Sequence, residues 1–366
     1  MRNNVIYLDH AATTPPDEAV IQAVLDCMQQ VYCNASSAYA YAGQARRIHR
    51  LCRGQLGKML LCPPEDIYFT SGGTESNNWI AKAFAGCHVV ASSVEHASLL
   101  NALKGYHCQV TLVAPDPSGR VSPSHIQAAL TPHTRLICLQ TANNETGVIQ
   151  PLKETYTLAR THRIHLHTDA VQAFGHIPLD VSNCDSMSLS AHKLYGPKGV
   201  GCLYIRQGAA ICPLLYGGHQ EGGLRAGTEN TPAICGFHKA AQLAQADLNV
   251  RSSRERQLLS GFVNRLKSVI PGVRLLGEGS PRLPGIAALY FPALEAEKAI
   301  ADLDLKGILV SGGAACASRS GTPSHVYTAM GLDEKEAARV LRISIGRHTT
   351  ADELNAAART IETLIL

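Results

Sequence analysis

From about residue 65 to 206, short β-rich runs alternate with helix-like stretches. The strand candidates are DIYFT (66–70), HVVASS (88–93), QVTLVA (109–114), RLICLQT (135–141), RIHLHTD (163–169), SMSLS (186–190) and GCLYIR (201–206). Between several of them lie ESNNWIAKAFAG, SHIQAALTP and LKETYTLARTH. This alternation predicts a mostly parallel, seven-stranded sheet covered by helices, an α/β arrangement that delivers functional groups at the carboxyl ends of its strands. A long helical segment follows, from about Thr231 to Leu266. Strands around VRLLGE and GIAALYF, a helix at ALEAEKAIADLD and a terminal helix at ADELNAAARTIETLIL then read as a smaller α+β domain. The expected division is a large domain over 15–250 and a small one built from 1–14 and 251–366.

One stretch fits no element. SGGAACASRSG (311–321) surrounds Cys316 with small residues and has almost nothing to bury, so a thiol sits on a Gly/Ala/Ser-rich loop.

Composition narrows the function classes. A chain of 366 residues, 45% hydrophobic and 17% charged, can bury a sizeable core. Its net charge of +4 is weak for this size and no basic run exceeds two residues, so neither nucleic acid nor a membrane surface is indicated as a partner. The opening MRNNVIYLDHAATTPP lacks the apolar region of a signal peptide, and no window approaches a membrane span. The twelve cysteines include no CxxC pair, so neither a metal site nor a disulfide framework is expected. A cytoplasmic protein with mostly buried thiols is the expectation.

Three segments carry chemistry. In FTSGGTESNN (69–78) a strand runs into Ser71-Gly72-Gly73-Thr74 and a helix starts near Glu75. This reads as a phosphate cradle at a helix start or as a plain glycine turn with a cap. In SLSAHKLYGPKG (188–199) the strand runs out into Ser190, His192 and Lys193. Lys193 is either a solvated surface lysine or a desolvated amine able to form a Schiff base with a carbonyl cofactor. In HTDAVQAFGH (167–176) Asp169 ends a strand, either as a helix cap or as the partner of a protonated pyridine nitrogen, with Gln172 within reach of the same ring. Taken together, the three suggest pyridoxal 5′-phosphate.

With IYLDHAATTP, VEHASLL, ANNETGVIQP, GGHQEGGLRAGTEN, SGGAACAS and LRISIGRHTT in the same order, the chain resembles a cysteine desulfurase of the class V aminotransferase family over nearly its whole length. The resemblance implies a fold-type I architecture and a set of roles. Lys193 carries the cofactor as an imine, His96 stacks on its ring, Asp169 pairs with the ring nitrogen and Gln172 bonds the phenolate oxygen. Gly73, Thr74, Ser190 and His192 hold the phosphate. Asn144 lies beside the phenolate and the substrate carboxylate, which Arg342 grips with its planar fork. Thr228 reaches the phosphate of a neighbouring subunit, which makes the protein a homodimer. The same likeness implies L-cysteine as the substrate, with electron withdrawal by the cofactor releasing its α-proton and weakening the bond from β-carbon to sulfur. The Cys316 thiolate then takes the sulfur as a persulfide, leaves alanine, and passes sulfur to a protein acceptor for iron–sulfur cluster or other sulfur-containing products. No metal is implied.

The chain departs from the family pattern at Arg319 and Gly321 after the cysteine, in CNASSAY (33–39), and at Gly222, where arginine is common. It also ends at Leu366 without the further segment by which many members dock an iron–sulfur scaffold, so the acceptor is left open. Rival readings are a selenocysteine lyase, an aminotransferase of the same fold, and a scaffold that has lost activity.

Overall fold

The computed structural model describes residues 5–209, 211–313 and 323–365. Its largest sheet has seven strands, in the spatial order Ile67–Thr70, Gly201–Ile205, Ser186–Ser190, His165–Asp169, Thr134–Cys138, His88–Ser92 and Gln109–Val113. Gly201–Ile205 runs antiparallel to both of its neighbours and the remaining pairs are parallel. A sheet with helices on its faces buries its central strands on both sides. Every residue of Ser186–Ser190 and of Gly201–Ile205 is accordingly buried. The alternating serines of SMSLS look out of place in such a strand. Their hydroxyls are used internally: Ser186 Oγ lies 2.8 Å from His165 Nε2 and 2.9 Å from His167 Nδ1.

Helices lie on both faces. Gly73–Ala83 buries Trp79 and Ile80, and the Trp79 indole donates to the Cys212 carbonyl at 2.8 Å. Leu152–His162 forms over the stretch LKETYTLARTH expected from sequence. The helices Glu18–Gln30 and Gly43–Leu60 were not anticipated; both pack on the helix Thr231–Val269.

A second sheet is antiparallel, in the order Val340–Ser344, Ile286–Tyr290, Arg274–Leu275. The helices Ala296–Leu305 and Ala351–Ile365 pack with it around one apolar core that also takes in Leu8. Ile6–Tyr7 pairs in parallel with Ile308–Leu309, so the amino-terminal strand belongs to this part of the molecule.

The 39-residue helix Thr231–Val269 serves both cores. Ala233, Ile234, Phe237, Ala240, Ala241 and Ala244 pack beneath the large sheet, and Leu259, Phe262, Val263 and Leu266 pack with the smaller one. Among the described residues no helix is long and apolar enough to cross a membrane, and no group of three potential ligands could hold a metal ion.

Candidate active site

The carboxyl end of the large sheet gathers the expected residues. Asp169 closes its strand, and Ser190 closes the neighbouring one before a single helical turn, Ala191–Lys193, brings up Lys193. His96 caps the helix Ala97–Gly105 just beyond His88–Ser92. Gly73 and Thr74 open the helix that follows Ile67–Thr70. Arg342 comes from the other sheet, from the middle of Val340–Ser344. Gly73, Thr74, His96, Asn144, Asp169, Gln172, His192, Lys193 and Arg342 all line one cavity of about 220 Å³.

The glycines make this packing possible. A Cβ on Gly73 would lie 2.7 Å from Val171 Cγ2, and one on Gly201 would strike the Leu189 carbonyl and the Gly72 backbone. Gly72 itself has φ +149, which side chains disfavour.

Each functional group is held by named partners. Lys193 Nζ donates to the carbonyls of Ala11 and Ala12 at 2.5 and 2.7 Å, and Gln172 Nε2 donates to the same Ala11 carbonyl at 2.7 Å. Asp169 Oδ1 accepts from the Val171 amide at 3.0 Å, and Oδ2 accepts from Asn77 Nδ2 at 2.7 Å. A carboxylate can only accept, so the Asn77 amide must turn its NH₂ to Asp169 and its oxygen to His167 Nε2, 3.2 Å away. His167 therefore carries its proton on Nε2.

The same logic assigns His96. Its Nδ1 accepts from the Ser98 amide at 3.1 Å, so the neutral ring is protonated on Nε2. Burial lowers its pKa, opposed by the Asp169 charge and aided by Lys193 and His325. Burial also holds His192 down at about 4, with Lys193 and Lys198 adding to the effect.

Arg342 is 1% exposed. It donates to Asp9 Oδ1 at 2.6 Å and to the Asn144 carbonyl at 3.1 Å, while its Nε has no partner among the described residues. A buried guanidinium with a spare donor beside a cavity suits an incoming carboxylate.

Of the other expected residues, Ser190 is buried next to Gly72 and is not a lining residue. Thr228 is exposed on a single chain and lies away from the cavity. Cys316, Arg319 and Gly321 fall outside the described residues. Asn77, His167, Ser98, Gln140 and Asp9 belong to the site or support it, and sequence reading did not single them out.

The buried histidines set a pH dependence of stability. Burial, the leading cause throughout, lowers His10, His49, His165, His176 and His192 to about 4 and His167 to about 3. The unfolded chain would protonate them near 6.5. Their contribution to stability is therefore complete above that value and is lost as pH falls toward the folded values. Glu95 and Glu255, raised by burial to about 8 and about 7, act in the opposite sense. His96 and His238 are lowered as well, and Asp66 and Glu145 are raised, so the lowered histidines remain the larger set. The urea midpoint is expected to be lower at about pH 5 than near pH 7. An equal or higher midpoint at the lower pH would contradict this accounting.

The class-V aminotransferase family model matches residues 6–356. A curated cysteine desulfurase IscS of Methanosarcina thermophila is 41% identical over 364 residues, covering 96% of this chain and 90% of its own. A solved NifS-like protein from Rickettsia africae superposes with a TM-score of 0.91 at 30% identity, covering 99% of both chains. SspA, solved in complex with cysteine, superposes with a TM-score of 0.81 at 33% identity, covering 94% of this chain and 99% of its own. With its cavity built on the strand ends and likeness along its whole length, this chain belongs to the class-V aminotransferase family.

Proposed function

We infer that this chain is a pyridoxal-phosphate-dependent cysteine desulfurase that converts L-cysteine to L-alanine, with the sulfur taken up as a persulfide on Cys316. The observation that supports this most is the convergence of Lys193, Asp169, His96 and Arg342 on one cavity. The donor set suits the cofactor: an amine, a carboxylate, an imidazole and a helix start carrying Thr74, with the guanidinium beyond them.

When bound, pyridoxal phosphate supplies an electron sink that acidifies the substrate's α-carbon and loosens its bond from β-carbon to sulfur. The chain's residues do the rest. Lys193 is the covalent anchor, and its Nζ, aimed by the carbonyls of Ala11 and Ala12, takes the α-proton after cysteine enters. Asp169, fixed by Asn77 and the Val171 amide, would hold the ring nitrogen protonated. His96, neutral with its proton on Nε2, would stack on the ring without adding a positive charge. Gln172 would bond the phenolate oxygen, and Gly73, Thr74, Ser190 and His192 would hold the phosphate. Arg342 and Asn144 fix the substrate carboxylate. Cys316 removes the sulfur and hands it to a protein acceptor in the cytoplasm.

In this reading residues 15–250 form the large domain and residues 1–14 with 251–366 the small one. Leu8 supports that division, because it is buried with Leu259, Phe262 and Ile343. The test is stoichiometry. Protein loaded with pyridoxal phosphate and given L-cysteine with a thiol reductant should release alanine and sulfide in equal amounts; no alanine above a cofactor-only control would refute the reading.

Assembly is part of the same proposal. Thr228 is exposed on the single chain, in the glycine-rich GGLRAGTEN, as a residue serving a neighbour's phosphate has to be. Sedimentation of the active protein should show a dimer, and a fully active monomer would remove Thr228 from the site.

A further inference from the structure

The mechanism above gives no part to Glu145. It is 1% exposed, is not one of the cavity-lining residues, and directly follows Asn144, which is. A tight turn sends these two neighbours to different places. Asn143 Oδ1 accepts from the amides of Glu145 and Thr146 at 2.9 and 2.8 Å, and the Gly147 amide closes the turn on the Asn143 carbonyl at 3.0 Å.

Glu145 Oε2 accepts from Ser324 Oγ at 2.6 Å. The same oxygen lies so close to Gly313 that a Cβ there would be 2.9 Å from it. Gly313 and Ser324 flank residues 314–322, the segment that contains Cys316. One buried carboxylate thus contacts the point where that segment leaves the described structure and a point just after it rejoins.

Both points are also tied to the substrate and cofactor groups. Ser311 Oγ donates to the Gly313 carbonyl at 2.7 Å, and Ser311 accepts at 2.6 Å from the backbone amide of Arg342. The Arg342 side chain donates to the Asn144 carbonyl. On the other side, His325 Nε2 donates to the Glu95 carbonyl at 3.1 Å, one residue before His96.

We propose that Glu145 is a positioning residue for sulfur transfer: its carboxylate fixes Gly313 and Ser324 relative to the Asn144–Arg342 pair, and so sets where the Cys316 segment starts and ends with respect to the bound substrate. The proposal rests on the desulfurase reading above. It predicts a selective defect. Groups that bind cofactor and substrate keep their hydrogen-bond partners when Glu145 is shortened, Arg342 among them, whereas a thiol whose approach is misplaced by about 1 Å can lose about 100-fold in rate.

The test separates the two halves of the reaction in the dimeric, cofactor-loaded protein. The first readout is the change in visible absorbance when L-cysteine is added, as a function of cysteine concentration. The second is the single-turnover rate of persulfide formation at Cys316, followed by mass spectrometry of the labelled peptide. In Glu145→Ala the first should stay close to wild type while the second falls by about 10- to 100-fold. Glu145→Gln, whose amide oxygen can still accept from Ser324, should recover most of the rate. Wild-type persulfide formation in Glu145→Ala, or an equal loss in both readouts, would overturn the proposal. Should Glu145→Ala fail to fold, Ser324→Ala decides by the same two criteria. Wild-type protein that forms no alanine from cysteine would overturn the parent reading instead, a result distinct from any of these.

Discussion

Lys193→Ala should reduce alanine formation to the level of free cofactor and abolish the visible absorbance change on adding cysteine. Two roles disappear together: the covalent anchor, and the amine held by the Ala11 and Ala12 carbonyls to take the α-proton. Cofactor retention should fall less steeply, because the helix start at Gly73 and the Asp169–Asn77 pair are untouched. Equilibrium dialysis with pyridoxal phosphate, run beside the turnover assay, distinguishes this from an unfolded variant. Turnover within about tenfold of wild type would end the assignment of Lys193, since a group that is both anchor and base accounts for many orders of magnitude.

Cys316→Ser should divide the reaction at a later point. The protein should bind cofactor and respond spectrally to cysteine, because Lys193, Asp169 and Arg342 keep their partners. Sulfur uptake should stop: a serine hydroxyl stays protonated near neutral pH and attacks sulfur poorly, whereas a thiolate attacks it well. Substitution by another cysteine is the obvious complication. Burial, as the leading cause, raises the thiols of Cys27, Cys52, Cys62, Cys108, Cys138, Cys184, Cys202 and Cys235, which leaves them poor nucleophiles. Cys33 is buried and Cys87 half-buried, which leaves Cys212 as the one exposed thiol among the described residues, so the double variant with Cys212→Ser is the proper control. Alanine released at the wild-type rate by that double variant would show that sulfur leaves by another route.

Much of the scaffold could be read from residues alone, for a physical reason. Strands covered on both faces tend to be continuous apolar or β-branched runs, as in HVVAS and GCLYI, while SMSLS and HLHTD were legible only from their place in the alternation of strands and helices. The helix Gly43–Leu60 was not, because its buried face is made of Ala45, His49, Cys52, Leu56, Gly57 and Leu60, a set with little apolar contrast against GQARRIHR. The Gly73–Ala83 helix begins at Gly73 rather than near Glu75, since Glu75 is engaged with Arg225 and the Ser71 amide inside the first turn.

Lys193, Asp169 and Thr74, which line the cavity, were legible as strand ends followed by polar groups. The residues that hold them were not. Asn77 lies four positions after Gly73, on the same helix face, yet its partner Asp169 is 92 residues away in the chain. Asp9 and Arg342 meet across a separation of 333 residues. No local pattern carries that information. Glu145 was not legible for a related reason: its link to Ser324 spans 179 residues.

The helix Thr231–Val269 has a mechanical consequence. Its 39 residues extend roughly 58 Å at the standard rise, with unbroken backbone hydrogen bonding from one core into the other. Two bodies joined by loops can pivot at little cost. Here any relative displacement has to bend a rod whose two halves are clamped at Phe237 and Phe262, so it is resisted elastically and returns when the load is removed. The rod also transmits failure: once one core melts, the helix segment it covered loses the packing that kept it helical, and the other core inherits a fraying end.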